Sequence, residues 1–196
     1  MGLLPLIFLI VGLVTEHLGA NPAEMIIHET GQWALRLLML TLSITPLVQI
    51  TGWSVLTVRY NLRRLLGRYA FFYASLHLLS YLLLEQNFIW QEIMDDILTR
   101  PALDIGWLAF ILMIPLAMTS YPPLAHQLSR RRWQQLHQLI YLISMSAIVH
   151  FGWLAQAKVD VREPLIYATI LLILLLLRYP PVIKRLAHKN VTFSKE

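Results

Sequence analysis

Hydrophobic positions in this chain gather into six runs, separated by charged or proline-bearing stretches. Met1 to Leu18 is apolar until Glu16 and His17. It lacks a positively charged start and a small-residue cleavage site, so it reads as a short first span and not as a signal peptide. Asn21-Pro22 breaks it, and a loop is expected through Glu24, His28 and Glu29. The second span covers Gly31 to Ile50, with Arg36 inside it and a kink expected at Pro46. A basic loop with Arg59, Arg63, Arg64 and Arg68 leads into a third span, Leu65 to Leu84, with His77 in its interior. Next comes an acidic stretch with Glu85, Glu92, Asp95 and Asp96, closed by Arg100-Pro101. Its apolar positions Phe88, Ile89, Trp90, Ile93 and Ile97 predict a segment lying on the surface. The fourth span, Asp104 to Ser120, is interrupted by Pro115 and ended by Tyr121-Pro122-Pro123. The fifth is Arg130 to Trp153, opened by three arginines and carrying His137 and His150. After a turn with Lys158, Asp160, Arg162 and Glu163, the sixth span, Pro164 to Leu177, ends before Pro180-Pro181 and a basic tail. No soluble domain, long linker or internal repeat stands out, so residues 1–196 read as one domain.

Composition sharpens this pattern into a class. The chain is 57% hydrophobic and 14% charged, with mean hydropathy +0.59, whereas soluble domains carry about a quarter charged residues. It is expected to be an all-α integral membrane protein, a bundle of six transmembrane helices. The absence of cysteine excludes disulfides, iron–sulfur clusters and thiolate zinc sites. The net charge of +5 does not point to nucleic acid, because the basic residues sit at the ends of the spans. Twelve of the sixteen Lys and Arg fall in Arg59–Arg68, Arg130–Arg132 and the stretch from Arg178 onward. Six spans place all three groups on one side, which the positive-inside rule makes cytoplasmic, with both termini there. Ten of the eleven carboxylates lie in or beside the alternate loops.

An ionisable group inside a hydrophobic span is costly and therefore a candidate functional residue. His77 follows Arg63 by fourteen positions and His150 follows His137 by thirteen, each about 20 Å along a helix axis. His77 and His150 should therefore lie at similar depth in the outer half of the bundle, on spans that run in the same direction. Two neutral imidazoles facing each other across neighbouring helices form the axial pair of a b-type haem. His137 lies nearer the cytoplasmic side, where the third span offers Arg63 and Arg64 instead of a second histidine. Either arginine suits a haem propionate as a bidentate partner. At about 100° per residue His137 and His150 differ by about 140° around an ideal helix, so spacing alone supports two depths but not one face. The competing structural readings are plain. A single buried histidine can simply hydrogen-bond a neighbouring helix, and His137 can be interfacial. Arg36 can snorkel, the preferred reading, or meet an outer propionate. His17, His28, His126 and His188 read as loop or tail residues, with a quinone pocket as the functional alternative for His28.

The strings ITP (44–46), RRLLG (63–67), LHLLSY (76–81), RWQQLH (132–137), VHFGW (149–153) and PLIYA (164–168) resemble the MsrQ family. These are haem-bearing membrane subunits of bacterial periplasmic methionine sulfoxide reductase systems, grouped with the ferric reductase-like transmembrane proteins. The resemblance covers about Ala20 to Tyr179. It implies haem b, one or two per chain, with His77, His137 and His150 as iron ligands and Arg63 beside the inner haem. It also implies the bacterial inner membrane, and electron delivery to MsrP, a periplasmic molybdopterin enzyme that reduces methionine sulfoxide in oxidised proteins. The implied donor is the quinone pool or a cytoplasmic flavin reductase, and FMN is associated with the family. No dinucleotide-binding fingerprint is present in this chain, so a pyridine nucleotide would be oxidised elsewhere. Two other classes compete: a ferric or cupric reductase using the same haems, and a haem-free transporter or proton channel with His77 and His150 as relay groups. A purely structural membrane anchor is the bland alternative.

Overall fold

The computed structural model describes residues 2–51, 56–156 and 160–178, and among them every regular element is helical. In chain order these are α1 (Leu4–Val14), α2 (Pro22–Thr51), α3 (Leu56–Ser80), a π-helical turn (Tyr81–Glu85), α4 (Trp90–Thr99), α5 (Pro101–Met118), α6 (Pro122–Ala125), α7 (Arg130–His137), α8 (Leu139–Gln156) and α9 (Arg162–Leu176). Lys158, Pro180-Pro181, His188 and the basic tail after Arg178 lie outside the described residues, as does the side chain of Arg59.

Three stretches are long and apolar enough to cross a membrane: Pro22–Ile50, Pro101–Met118 and Arg130–Gln156. They correspond to the second, fourth and fifth runs of the sequence. The helix α1 is apolar but has only 11 residues, about 17 Å of helix against a hydrocarbon core of about 30 Å. The 15 residues of α9 reach about 22 Å. In α3, 25 residues long, the arginines of its first half dilute an otherwise apolar helix.

Two boundaries differ from the sequence reading. The expected loop through Glu24, His28 and Glu29 is the first two turns of α2. Asn21 explains this: its Oδ1 accepts the Glu24 N–H at 3.2 Å and its Nδ2 donates to the Glu24 carboxylate at 3.1 Å, while Pro22 occupies the first helical position. Likewise the expected basic loop around Arg63, Arg64 and Arg68 is the first half of α3. In both places the helix outruns its apolar stretch, and charged residues on the extension read as loop. Pro46 and Pro115 both sit inside helices that continue past them. The acidic segment does form an amphipathic helix, α4, which buries Ile93 and exposes Trp90, Leu98, Glu92 and Asp95.

Packing is built on two hairpins, α2 against α3 and α5 against α8, joined by α3–α5 and α2–α8 contacts and closed by α9 on α8 and α2. The core between them is formed by Leu35, Leu38, Leu42, Ala70, Tyr73, Met113, Ile140, Ile143 and Leu171. Apolar side chains also cover the outside: Leu108, Ile111 and Ile114 on α5, Met145 and Val149 on α8, and Leu165, Ile166, Leu172 and Ile173 on α9 are exposed. Exposed apolar faces on several helices at once are the mark of a lipid-facing surface. The interior meanwhile contains polar side chains, with Thr30, Gln32, Thr41 and Ser144 buried. Thr30, Thr41 and Ser144 each donate to a carbonyl of their own helix, as most buried hydroxyls do. Tyr73, fully buried, fastens α1 to the bundle by donating to the Gly2 carbonyl at 2.9 Å and accepting the Leu6 N–H at 3.2 Å.

Candidate functional site

His77 near the end of α3 and His150 in α8 meet across the interface between the two hairpins. Their ring centroids are 6.2 Å apart and their planes cross at 78°. Each ring is fixed by the neighbouring helix of its own hairpin. The Nδ1 of His77 lies 2.8 Å from the carbonyl oxygen of Ile27 on α2, and that of His150 lies 2.7 Å from the carbonyl oxygen of Ala102 on α5. A carbonyl only accepts, so both imidazoles hold their proton on Nδ1 and present a lone pair at Nε2. Neither Nε2 has a hydrogen-bond partner among the described residues.

The ring separation fits one metal ion held between the two imidazoles. With about 2 Å for each metal–nitrogen bond and roughly 1.2 Å from ring nitrogen to ring centre, the expected centroid separation is about 6.4 Å. The carbonyl partners match the usual outer support of a metal-ligating histidine, whose second nitrogen donates to a carbonyl or carboxylate. Among the described residues no cluster of three or more His, Asp or Glu is placed to hold a metal ion. The donor set therefore fits an iron that brings its own equatorial ligands, as haem does.

His137 is held differently. It stacks on Trp133 with centroids 4.0 Å apart and planes 27° apart, and its Nε2 lies 3.1 Å from the Thr119 hydroxyl. Thr119 already donates to the Pro115 carbonyl at 2.7 Å, so His137 is the donor and its Nε2 is occupied. The Trp133 indole N–H donates to the Thr119 carbonyl at 3.2 Å, which fixes the stack. Arg63 and Arg64 of α3 lie near enough to act electrostatically on His137, and no histidine faces it from α3. A break in the helix falls at Gln138, directly after His137. It interrupts the ideal 3.6-residue winding on which the angular offset between His137 and His150 was counted.

About 100° around α2 from the positions that meet His77 lies a polar network that the sequence did not announce. Gln32, buried, donates to Glu163 of α9 and accepts from Arg36. Arg36 also donates to the Tyr167 hydroxyl at 3.1 Å, lies 3.6 Å from the Glu29 carboxylate, and sits 4.8 Å over the Trp33 ring. It is thus tied into a network with its side chain one-third exposed. His28 is 3.5 Å from Gln32 and edge-on to Phe151, the neighbour of His150. The readable signal was a polar stripe at 28, 32 and 36, spaced by four on an otherwise apolar helix. Gly31 and Gly106 were also missed. They pack against the rings of His77 and His150 respectively.

The family model described as the ferric reductase like transmembrane component matches residues 30–148. A protein of Xanthomonas campestris pv. campestris (strain 8004), named protein-methionine-sulfoxide reductase heme-binding subunit MsrQ, is 48% identical over 178 residues, 91% of this chain and 78% of its own. The chain belongs to the MsrQ family. A relative of the same name from Herminiimonas arsenicoxydans is 43% identical over 176 residues, 90% of this chain and 79% of its own. Another from Xanthomonas oryzae pv. oryzae (strain MAFF 311018) is 48% identical over 161 residues, covering 82% and 71%. No solved structure matches the chain. The segment matched by the family model takes in Gly31, His77, Gly106 and His137, and its last residue is two short of His150.

Proposed function

We propose that this MsrQ-family chain is a transmembrane electron-transfer subunit that carries haem b between His77 and His150. The observation that carries the reading is the imidazole pair itself: two rings 6.2 Å apart, each with its Nδ1 on a backbone carbonyl and its Nε2 free. Haem, when bound, supplies a one-electron iron centre. The chain's own residues do the rest. His77 and His150 would hold the iron, and the carbonyls of Ile27 and Ala102 keep both imidazoles in the ligating tautomer. The apolar core around Leu35, Tyr73 and Ile143 excludes water. His137 would be the ligand candidate for a second, inner haem, which would require its proton to sit on Nδ1 and the Thr119 hydroxyl to release Nε2. Arg63 and Arg64 are the partners for that haem's propionates.

In this reading residues 1–196 form one six-span domain in the bacterial inner membrane with both termini cytoplasmic. Electrons enter from the quinone pool or a cytoplasmic flavin reductase, with FMN as a possible carrier on the donor side. They leave to the periplasmic molybdopterin reductase MsrP, which uses them to repair oxidised periplasmic proteins. The relatives' printed name supports this destination. The family's printed description favours a second reading, reduction of ferric ions. The two separate in vesicles holding the purified chain with its haem reduced. Reoxidation by methionine sulfoxide that requires added MsrP supports the first. Reoxidation by ferric citrate alone, with no response to MsrP and methionine sulfoxide, contradicts it.

A further inference from the structure

Two glycines occupy matching places in the two hairpins. A Cβ built on Gly31 would lie 2.9 Å from Nδ1, 3.0 Å from Cε1 and 3.5 Å from Cγ of His77. On Gly106 it would lie 2.8 Å from both Cε1 and Nδ1, and 3.3 Å from Cγ, of His150. Neither glycine has a positive φ, so the backbone does not require glycine at either place. In a helix interior glycine costs about 1 kcal/mol relative to alanine, and something other than backbone geometry must account for it here.

The carbonyls that hold the two rings point to the reason. Ile27 lies four residues before Gly31, and Ala102 four residues before Gly106. A helical Cβ leans toward the N-terminus and covers the turn before it. A side chain at 31 or 106 would therefore stand over the carbonyl four residues earlier and block sideways approach to it. With glycine, the imidazole of the neighbouring helix enters that notch and its Nδ1–H reaches the carbonyl.

We infer that Gly31 and Gly106 are positioning residues for the two axial imidazoles, one per hairpin, setting the orientation of each ring and the strength of its Nδ1–H bond. This rests on the haem reading above. It has two consequences. With haem bound, planes crossed at 78° would give a ferric low-spin centre the highly anisotropic electron paramagnetic resonance spectrum of crossed imidazoles. The Nδ1–H bonds make both imidazoles stronger donors, favour ferric iron and lower the midpoint potential.

The test uses the full chain purified with its haem, as parent, Gly31→Ala and Gly106→Ala. Gly67→Ala is the control, because a Cβ there meets nothing within 4 Å. The expected result is a highly anisotropic signal in the parent. Each of the two alanine variants should show a loss of anisotropy and a positive shift of the midpoint potential, with neither change in Gly67→Ala. Unchanged g values and potential in both Gly31→Ala and Gly106→Ala would overturn the assignment while leaving the haem reading in place. The parent spectrum is decisive even if both variants fail to accumulate, since the rhombic signal of parallel imidazole planes overturns the proposal by itself. A parent that binds no haem overturns both.

Discussion

Replacing Gln32 with leucine tests the network that joins α2 to α9. The Gln32 side chain is 4% exposed and bridges Arg36 to Glu163, so leucine fills the volume but removes both polar contacts. Arg36 keeps Tyr167 at 3.1 Å and Glu29 at 3.6 Å, so its charge is left underserved and not orphaned. Glu163 is exposed and recovers its loss from water. The damage is therefore concentrated on one charge-assisted bond to Arg36, a class worth about 1.5–3 kcal/mol in soluble proteins. Gln32 and Arg36 are both on α2, four residues apart, and side-chain pairs at that spacing on isolated helices contribute only about 0.2–0.5 kcal/mol. Arg36 is one-third exposed, which also argues for the lower part of the range. Gln32→Leu should thus destabilise by about 0.5–2 kcal/mol, or a fall of roughly 1–8 °C in the unfolding midpoint for a chain of this size. Thermal unfolding of the detergent-solubilised protein measures it. A double-mutant cycle with Arg36→Met should show coupling, because the two residues share the bond. An unchanged midpoint together with strictly additive variants would refute the reasoning.

Further outcomes follow from other parts of the molecule. Tyr73→Phe removes both hydrogen bonds to α1 and should cost about 1 kcal/mol, seen as faster proteolysis near Leu4–Val14 before the rest of the bundle opens; equal cleavage in both proteins contradicts it. The chain has no cysteine, so single substitutions report topology cleanly. Asp95→Cys should react with a membrane-impermeant maleimide from the periplasmic side and Ser129→Cys only after lysis; labelling of both from one side contradicts the proposed orientation. His137→Ala should leave the outer haem's spectrum unchanged, checked by low-temperature absorption, because its ring is held by Trp133 and Thr119 and not by the His77–His150 pair.

Several features of the fold were legible because they rest on local chemistry. Counting helical rise from Arg63 and from His137 put His77 and His150 at one depth, and their rings lie 6.2 Å apart. The alternation of apolar and acidic positions around Ile93 and Ile97 announced a surface helix. The missed starts of α2 and α3 share one cause. Glu24, His28, Glu29, Arg63 and Arg64 lie on helical turns that outrun the apolar stretch, and hydropathy cannot separate a charged helical end from a loop. The break at Gln138 left no proline or glycine to read. Gly31 and Gly106 looked like neutral members of apolar runs, since their meaning depends on a ring from another helix. Gln32, Tyr167 and Glu163 are far apart in sequence and come together only when α9 packs on α2. The pairing of α2–α3 with α5–α8, each with a carbonyl, a glycine four residues on and a histidine from the other helix of the hairpin, is a repeat of geometry without a visible repeat of sequence.

The central claim is that His77 and His150 hold one haem between them. Haem per chain and dithionite-reduced minus oxidised spectra of purified parent, His77→Ala and His150→Ala test it most directly. A sharp b-type band in the parent, with the same component missing from both variants, is the predicted result. No b-type band in the parent, or loss of different components in the two variants, would contradict it.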